Sequence, residues 1–582
     1  MQWNQWAIGF LEGQYTFSQF GTSQPQTAGT GHSYASYLLG LVNAATVASN
    51  TRAGDRSKYY AVYAQDDWKL TRTLTLNYGL RWEVQPPFYE VAGRTSIMDP
   101  TVPNSGAAGR PGAVIFAGDG PGHVGGRRFM KTYFGGISPR LGLAWQLGSK
   151  TVVRTGYGTY YSPLVDVKIN RQGYNASITI NSQDGGLTPV FQIDRGWPAG
   201  VVKPPPFIDP TVANGQAATT AETCRGCSGR LARTSQWQFG VQHTLRDILV
   251  EASYVATVAH GIGNEALVSI NQVAPSYLSL GSLLTRNISD AAVRAAGFGP
   301  PYAGFNGTLA QSLRAFPQYL GVTTLDAPTG NSTYHALLVK SEKRFSNGLQ
   351  FLISYAFSKT IADVHIAGDV DLSGAQDQYN RRLEKSISNS DIPQVFVTSF
   401  SYELPFGRGK HFLRQRVPSL LFGGWSISGI LSYQAGGVLG LTLPNNLPIF
   451  NGQLRPNRVA GVPIRVGPGH ADFQPLNTLS GQTGDLFLDR AAFAVPAPFT
   501  FGSLGVALPD VRGFGSRGED MSIIRRFRAL ERYTIEFRGD FFNAFNRKNL
   551  NNPVTDMTNS NFGRVTGQGP ARIVQLGLRL DF

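Results

Sequence analysis

The sequence predicts an all-β chain that crosses a bilayer as an antiparallel transmembrane β-barrel. Three observations carry this. Segments of about 9–12 residues alternate apolar and polar side chains along the whole chain, long enough to cross a bilayer at a strand's tilt. The connections between these segments alternate between short and long. The composition is rich in Gly (68 residues) and aromatics (11%), yet only 15% of residues are charged, against about 25% in a typical soluble protein. A mean hydropathy of −0.14 is too polar for a helical membrane protein. It fits strands that divide their side chains between two solvents.

Taken in order, the chain opens on Met1-Gln-Trp-Asn-Gln-Trp, which has neither the basic nor the apolar region of a secretory signal. Met1 is therefore read as an internal start, and the first strand is expected near Gly9–Phe20. Further on, Leu74, Leu76, Tyr78, Leu80, Trp82 and Val84 share one face, opposite Thr73, Thr75, Asn77, Arg81 and Glu83. Trp237, Phe239 and Val241 alternate with Gln236, Gln238 and Gln242, and Leu349, Phe351, Ile353, Tyr355 and Phe357 form another set.

Val417–Leu454 contains no charged residue, and its apolar stretch from Leu420 to Leu443 invites reading as a transmembrane helix. That stretch holds Gly423, Gly424, Gly429, Gly436, Gly437 and Gly440. Trp425, Ile427, Gly429, Leu431 and Tyr433 also alternate there with Ser426, Ser428, Ile430 and Ser432, so a strand is expected. Near the end, Tyr533, Ile535, Phe537 and Phe541 oppose Arg532, Thr534, Glu536, Arg538 and Asp540. The last segment sets Val574, Leu576, Leu578, Leu580 and Phe582 against Gln575, Arg579 and Asp581. Aromatics gather at segment ends, as in Tyr59-Tyr60, Tyr160-Tyr161 and Phe541-Phe542, where interfacial girdles place them.

Short connections fall near Lys69–Thr73, Gly148–Thr151, Thr244–Asp247, Phe345–Gly348 and Arg528–Glu531. Long ones fall near Gln85–Gly136, Ser162–Thr234, Val258–Ser332, Thr360–Pro393, Ala435–Asp520 and Ala544–Pro570. Outer-membrane barrels join their strands by tight periplasmic turns and long extracellular loops. That parity leaves Phe582 in the periplasm and makes Glu403–Gly424 a longer periplasmic turn with room for a short helix. The count is about 14 strands.

The ending Gln575-Leu576-Gly577-Leu578-Arg579-Leu580-Asp581-Phe582 alternates to its last residue and closes on an aromatic. It resembles the signal by which the outer-membrane barrel assembly machinery recognises a final strand, with Gln575, Gly577, Leu580 and Phe582 at its key positions. Lys58-Tyr59-Tyr60-Ala61-Val62-Tyr63-Ala64-Gln65-Asp66-Asp67-Trp68-Lys69, running on to Leu74–Glu83, resembles the barrel of TonB-dependent receptors, and within them the Oar-like group. Phe345–Leu349 leading to Ser354–Lys359, Asp540–Asn546 and Asn561-Phe562-Gly563 are similar to the same group. The resemblance covers residues 1–582, as the C-terminal part of such a barrel. It implies a protein that also carries a signal peptide, a carboxypeptidase-regulatory-like β-domain and a plug contacting TonB, none of which is recognised here. It further implies about 22 strands, so roughly eight would be missing. An incomplete barrel leaves two unpaired edges in lipid, so the chain reads either as a gene fragment, the preferred reading, or as a smaller barrel that closes on itself.

The net charge of +15 is spread singly over strands and loops with no basic tract, which speaks against nucleic acid and suits anionic outer-membrane lipid and lipopolysaccharide. Cys224 and Cys227, in Thr-Cys-Arg-Gly-Cys-Ser, are the two cysteines. A C-x-x-C pair suits redox chemistry or half a zinc site, but no βαβ pattern surrounds it and no His is nearer in sequence than His243. A small disulfide in an oxidised external loop is the simplest reading. Gly513-Phe514-Gly515-Ser516-Arg517-Gly518 matches G-x-G-x-x-G without a strand–helix frame. His32, His123, His260, His365 and His470 stand singly. No cofactor and no enzymatic activity are expected.

Arg81, Glu83, Glu536, Arg538, Asp540 and Arg579 fall on the polar side of their segments, where they would line a solute path or simply pair across strands. The expected function is uptake of a bulky solute, such as a glycan or peptide fragment, energised by TonB through the plug. The alternative is a surface interaction or adhesion protein acting through its long external loops.

Overall fold

In a computed structural model, thirteen strands follow one another along one antiparallel sheet. They are β1 (Tyr60–Lys69), β2 (Leu74–Val84), β3 (Gly136–Gln146), β4 (Thr151–Tyr161), β5 (Arg233–Leu245), β6 (Ile248–Gly263) and β7 (Pro328–Ser346). The rest are β8 (Leu349–Ala362), β9 (Gln394–Glu403), β10 (Trp425–Gln434), β11 (Ser516–Ala529), β12 (Tyr533–Phe542) and β13 (Ile573–Asp581). Each pairs with its sequence neighbours, and the two-residue strand Ser386–Ile387 joins beside β8 as a fourteenth. The structure describes all residues except 1, 6–12, 25–29, 51–53, 163–170, 183–186, 201–205, 221–228, 264–268, 325–327, 364–374, 442, 444–453, 478–480, 509 and 530–532. Among the described residues no helix is long and apolar enough to cross a membrane. The glycine-rich stretch around Trp425–Tyr433 is strand β10.

Directly opposed residues of antiparallel neighbours share a face, so the register carries each face across the sheet. One row runs Phe351, Phe400, Gly429, Met521, Phe541, Val574. The row beside it, offset by one residue, runs Gln350, Ser401, Ser428, Ser522, Asp540, Gln575. The same division holds at the other end. Tyr78, Leu141, Tyr157 and Trp237 form an apolar row, and Gly79, Arg140, Gly158 and Gln236 a polar one. Gly429 has a packing role here. A Cβ at that position would lie 3.0 Å from the ring of Phe400.

The apolar face is exposed. Leu80, Trp82, Phe239, Phe357 and Leu576 are all exposed, and Leu578 is 77% exposed. In water this would be a large aggregation-prone surface; against lipid it is the ordinary arrangement.

Tight turns at one end of the sheet join β1 to β2, β3 to β4, β5 to β6 and β7 to β8, and at the same end Ala529 of β11 lies opposite Tyr533 of β12. Residues 530–531 of the turn expected at Arg528–Glu531 lie outside the described residues. Asn347 (φ 53°) and Gly348 (φ 80°) close the β7–β8 hairpin, the Asn-Gly pair that a two-residue turn with two positive φ values favours. The connection from β9 to β10, at the same end, holds the helix Arg416–Phe422. β6 and β7 reach 16 and 19 residues, beyond the roughly 9–11 that cross a bilayer. Their pairing therefore continues into what the sequence suggested was loop.

Of the expected first strand at Gly9–Phe20, residues 9–12 lie outside the described residues and residues 13–20 are not part of this sheet. Gln14–Thr16 pairs with Ala44, Ala45 and Thr46 in a separate three-stranded sheet completed by Asn175–Asn181. The described alternation there lasts three residues before the 3-10 turn Gln19–Thr22, too short to span. The described residues between 2 and 57 instead lie among the long connections. Gln2–Gln5 pairs with Gly54–Ser57, which also pairs with Tyr89–Glu90. That ladder prolongs the β1–β2 hairpin with a one-residue offset, since Tyr60 lies opposite Val84 and Arg56 opposite Tyr89.

β1 and β13 each have one neighbour among the described residues, so the sheet is open. Both run from the long-connection end to the tight-turn end, as the first and last of thirteen alternating strands must. Antiparallel closure therefore needs an odd number of further strands.

The buried cores lie in the long connections. Leu441, Phe473, Phe487, Leu488 and Val565 cluster between the β10–β11 and β12–β13 connections. Leu284, Val293 and Leu309 form a second core, and Met98, Phe116, Tyr174 and Tyr319 a third. Each such side chain contributes about 1.5–3 kcal/mol when fully buried. Polar bonds tie connections together. Arg455 makes a two-pronged pair with Glu384 (2.8 and 2.9 Å), at side-chain exposures of 5% and 2%. Gln376 accepts from the Arg455 backbone N–H (2.7 Å) and donates to the Gly502 carbonyl (2.8 Å). Tyr319 donates to the Gly112 carbonyl (2.8 Å), and burial pushes its pKa up to about 12.

Two outcomes follow. Arg455→Met leaves the Glu384 carboxylate buried without its partner and should destabilise the β10–β11 connection by about 3–5 kcal/mol. Faster proteolysis within residues 435–515, with the sheet intact, is the readout. Because folding raises the Tyr319 pKa, stability is full below pH 10 and falls as pH rises towards about 12, by about 3 kcal/mol. Alkaline unfolding followed by near-ultraviolet circular dichroism should lose this component in Tyr319→Phe.

Candidate functional site

On the polar face, β1–β5 form a groove because the register brings glycines together. Gly142 lies opposite Gly156, and Gly79 and Gly158 both lie opposite Arg140. Without side chains at these points the backbone is bare, and the neighbouring strands rise around it. The hollow has a volume of about 450 Å³ and is lined chiefly by Gln65, Asp67, Asn77, Arg140, Tyr160, Gln236 and Gln238 around those glycines. A second hollow of about 310 Å³ continues it towards Tyr63 and Arg81, sharing Gln65, Gly79 and Arg140. The space is real room. A Cβ on Gly142 would approach Asn77 Oδ1 no nearer than 3.5 Å, and one on Gly156 would stay 3.7 Å from Gln238.

Asn77 donates to the Asp67 carboxylate. Arg140 lies over the Tyr160 ring at 4.9 Å, and Arg154 donates to Gln242 (2.9 Å) just beyond. Amides, one carboxylate, a guanidinium and a phenol are fixed on a strand scaffold. Such a set donates and accepts many hydrogen bonds at once and presents a ring face. It contains no nucleophile–base pair. Among the described residues no three His, Cys, Asp or Glu come together as a metal site.

At the long-connection end of the groove sits Glu83, buried at 4% exposure. It accepts from Arg81 Nε (3.0 Å), Ser138 Oγ (3.1 Å), the Tyr161 N–H (3.3 Å) and the Tyr59 hydroxyl. A carboxylate with these donors pins β2, β3 and β4 together.

The six residues expected to line a solute path all lie on the polar face, in two separate groups. Arg81 belongs to the groove and Glu83 to its rim. Glu536, Arg538, Asp540 and Arg579 stand at the opposite end of the sheet, on β12 and β13. There Arg526 pairs with Glu536 across strands (2.6 Å), Arg538 with Asp540 (2.8 Å) and Arg579 with Asp581 (2.7 Å). Gln575, Gly577 and Leu580 occupy β13 opposite Asp540, Arg538 and Ile535, and Phe582 follows at 90% exposure. Cys224, Cys227 and His365 lie outside the described residues. The glycine motif at Gly513 is a loop leading into β11. Sequence reading missed Asp67, Arg140 and the glutamines of the groove, because only the register aligns them with glycines.

Comparison with known proteins places this geometry. The family profile described as an outer membrane beta barrel domain matches residues 1–575. Among curated proteins none matches the chain in sequence. Solved structures with a similar course include the FrpB iron transporter of Neisseria meningitidis, at 11% identity and a TM-score of 0.35, over 91% of this chain and 46% of that one. The outer membrane transporter YddB of Escherichia coli gives 11% identity and a TM-score of 0.39, over 90% and 54%. The ferric yersiniabactin uptake receptor FyuA of Yersinia pestis gives 9% and 0.36, over 93% and 47%. The chain thus spans about half the length of these solved structures. With a two-faced antiparallel sheet and a profile match over residues 1–575, the chain belongs to the outer membrane β-barrel domain family.

Proposed function

We propose that this chain is the wall of a TonB-dependent outer-membrane transporter, and that the groove on its polar face contacts the solute. The observation that carries this is the bare-backbone hollow of β1–β5, ringed by amides, Asp67, Arg140 and Tyr160. A polar, side-chain-poor trough suits a bulky hydroxyl- or amide-rich solute, such as a glycan or peptide fragment, better than a compact apolar one. The motifs at Lys58–Lys69 and Leu74–Glu83, which resemble the Oar-like group, support the same reading. TonB supplies energy through a plug seated inside the closed wall. About 22 strands less thirteen leaves about nine for closure, an odd number as the edge directions require.

In this reading the long connections face outward and the tight turns face the periplasm. The apolar face meets lipid and lipopolysaccharide, and Gln575–Phe582 is the strand that the barrel assembly machinery grasps. Arg81 meets the solute in the groove, whereas Glu536 and Asp540 tie β12 to β11, and Arg538 and Arg579 pair along their own strands. Cys224 and Cys227 form a disulfide in an external loop. A second reading, surface adhesion, is favoured by one observation: the long connections carry buried cores of their own, as binding modules do.

Gly156→Trp fills the hollow without forcing a positive φ or a backbone clash. It should lower solute uptake at least about tenfold, equivalent to about 1.4 kcal/mol, with the amount of protein in the outer membrane unchanged. Deleting TonB should abolish uptake. Uptake indifferent to both changes, with cell attachment lost when the loops are cut, would favour adhesion.

A further inference from the structure

The connection between β10 and β11 leans over the apolar face near the long-connection end and covers a cavity of about 460 Å³. Its floor is aromatic: Tyr355 on β8, Phe396 on β9 and Tyr433 on β10, the last two with ring centroids 6.2 Å apart. Phe487 and Phe514 face them from the connection. Around this floor stand Arg465, Arg512 and Arg517 with Gln394, Gln434 and His470, and among the described residues no carboxylate lines the space.

The cations differ in how they are satisfied. Arg512 is paired with Asp391 at 2.5 Å. Arg465 lies over the Phe487 ring at 5.0 Å and donates to the Pro468 carbonyl, both uncharged partners. The half-buried Arg517 guanidinium has no hydrogen-bond or ion-pair partner among the described residues. Glu519, two residues along, accepts instead from Tyr433 (3.1 Å) and Arg547 (3.2 Å). His470 Nε2 is buried without a partner beside them. Burial, and then the nearby Arg517, holds that ring below the usual histidine pKa and therefore neutral at pH 7. Two guanidiniums without an ion-pair partner beside an aromatic floor favour an anion, to which Arg offers two parallel N–H donors.

Position decides which anion. The floor is continuous with the exposed apolar face, at strand ends where aromatic girdles meet the membrane surface. Solute on the transport path lies on the other side of the sheet. We propose that this cavity seats the phosphorylated headgroup of an outer-leaflet glycolipid, with Arg465 and Arg517 on a phosphate and the aromatic floor beneath the sugar and first acyl carbons. This rests on the reading of the apolar face as lipid-facing and the long connections as external.

The test uses the full chain purified in neutral detergent, with lipid retention read by native mass spectrometry. The probes are diphosphorylated lipid A, its dephosphorylated form, phosphatidylcholine and inorganic phosphate. Diphosphorylated lipid A should be retained in preference to the two lipids without a phosphomonoester. Arg465→Gln with Arg517→Gln should weaken retention about tenfold or more, and Arg517→Lys alone should weaken it less than Arg517→Gln, because the charge remains while the two-pronged donor set is lost. Equal retention by the double variant, or of the dephosphorylated lipid, overturns the proposal. Millimolar inorganic phosphate that binds while lipid A does not would make it a soluble-anion site, which also overturns it. Quenching of Trp82, Trp145 and Trp237 by brominated lipid checks the lipid-facing assignment separately. If those tryptophans are quenched and lipid A is still not retained, only the headgroup seat falls and the transport reading stands.

Discussion

In a bilayer an unpaired peptide N–H or C=O costs several kcal/mol, because no water is present to replace the missing partner. The continuous ladder from β1 to β13 answers that constraint, and the other features of the wall follow from it. Strands paired on both sides must be pleated, so each divides its side chains strictly between two faces. With pairing in register across thirteen strands, a residue's face is set by its position in the row. That is why Gln350 and Gln575, 225 positions apart in sequence, belong to one polar row, and why Phe351 and Val574 belong to its apolar neighbour.

Apolar side chains are therefore used in two opposite ways in one chain. On the wall they stay exposed along one face, where the proposed contact with lipid is their favourable term. In the long connections they are gathered into cores with native-like aromatic packing, as where Phe473 and Phe487 meet Phe514 with centroids 4.9 and 4.7 Å away. The two regimes meet where the β10–β11 connection lies against Tyr355, Phe396 and Tyr433. Buried polar bonds set the relation between connections that apolar packing alone would leave loose. The Arg455–Glu384 pair and its Gln376 partner join residues far apart in sequence and cannot be satisfied in a shifted arrangement.

The strands were legible in the sequence where alternation is long enough to exclude a helix, and β10 shows this best. Its serines at 426, 428 and 432 fall on one face and its aromatics on the other, despite an apolar content that suits a helix. The Gly9–Phe20 segment misled because a few alternating residues fit any half-buried strand. What separates Gln14–Thr16 from the wall is its partner at Ala44–Thr46, which the sequence does not reveal. The groove was hidden for a related reason. Gly142 and Gly156 are ordinary strand glycines until the register sets them opposite each other. The cores of the connections depend on contacts such as Asn104 with Tyr319, separated by 215 residues, and no local period announces them.

The shared direction of β1 and β13 has a consequence for assembly. Two copies inserted in the same sense could not complete each other's wall, since every seam between them would be parallel while all other ladders are antiparallel. Insertions or deletions of whole hairpins leave that mismatch unchanged, because they alter the count by two. Only an unpaired single strand, or an odd set of them, resolves it. The small ladder above the edge shows where one would emerge. Gln2–Gln5 lies on Gly54–Ser57 on the side away from Tyr89–Glu90, as the free edge of β1 lies away from β2. A strand laid antiparallel on that edge would run towards the same end of the sheet as Gln2–Gln5.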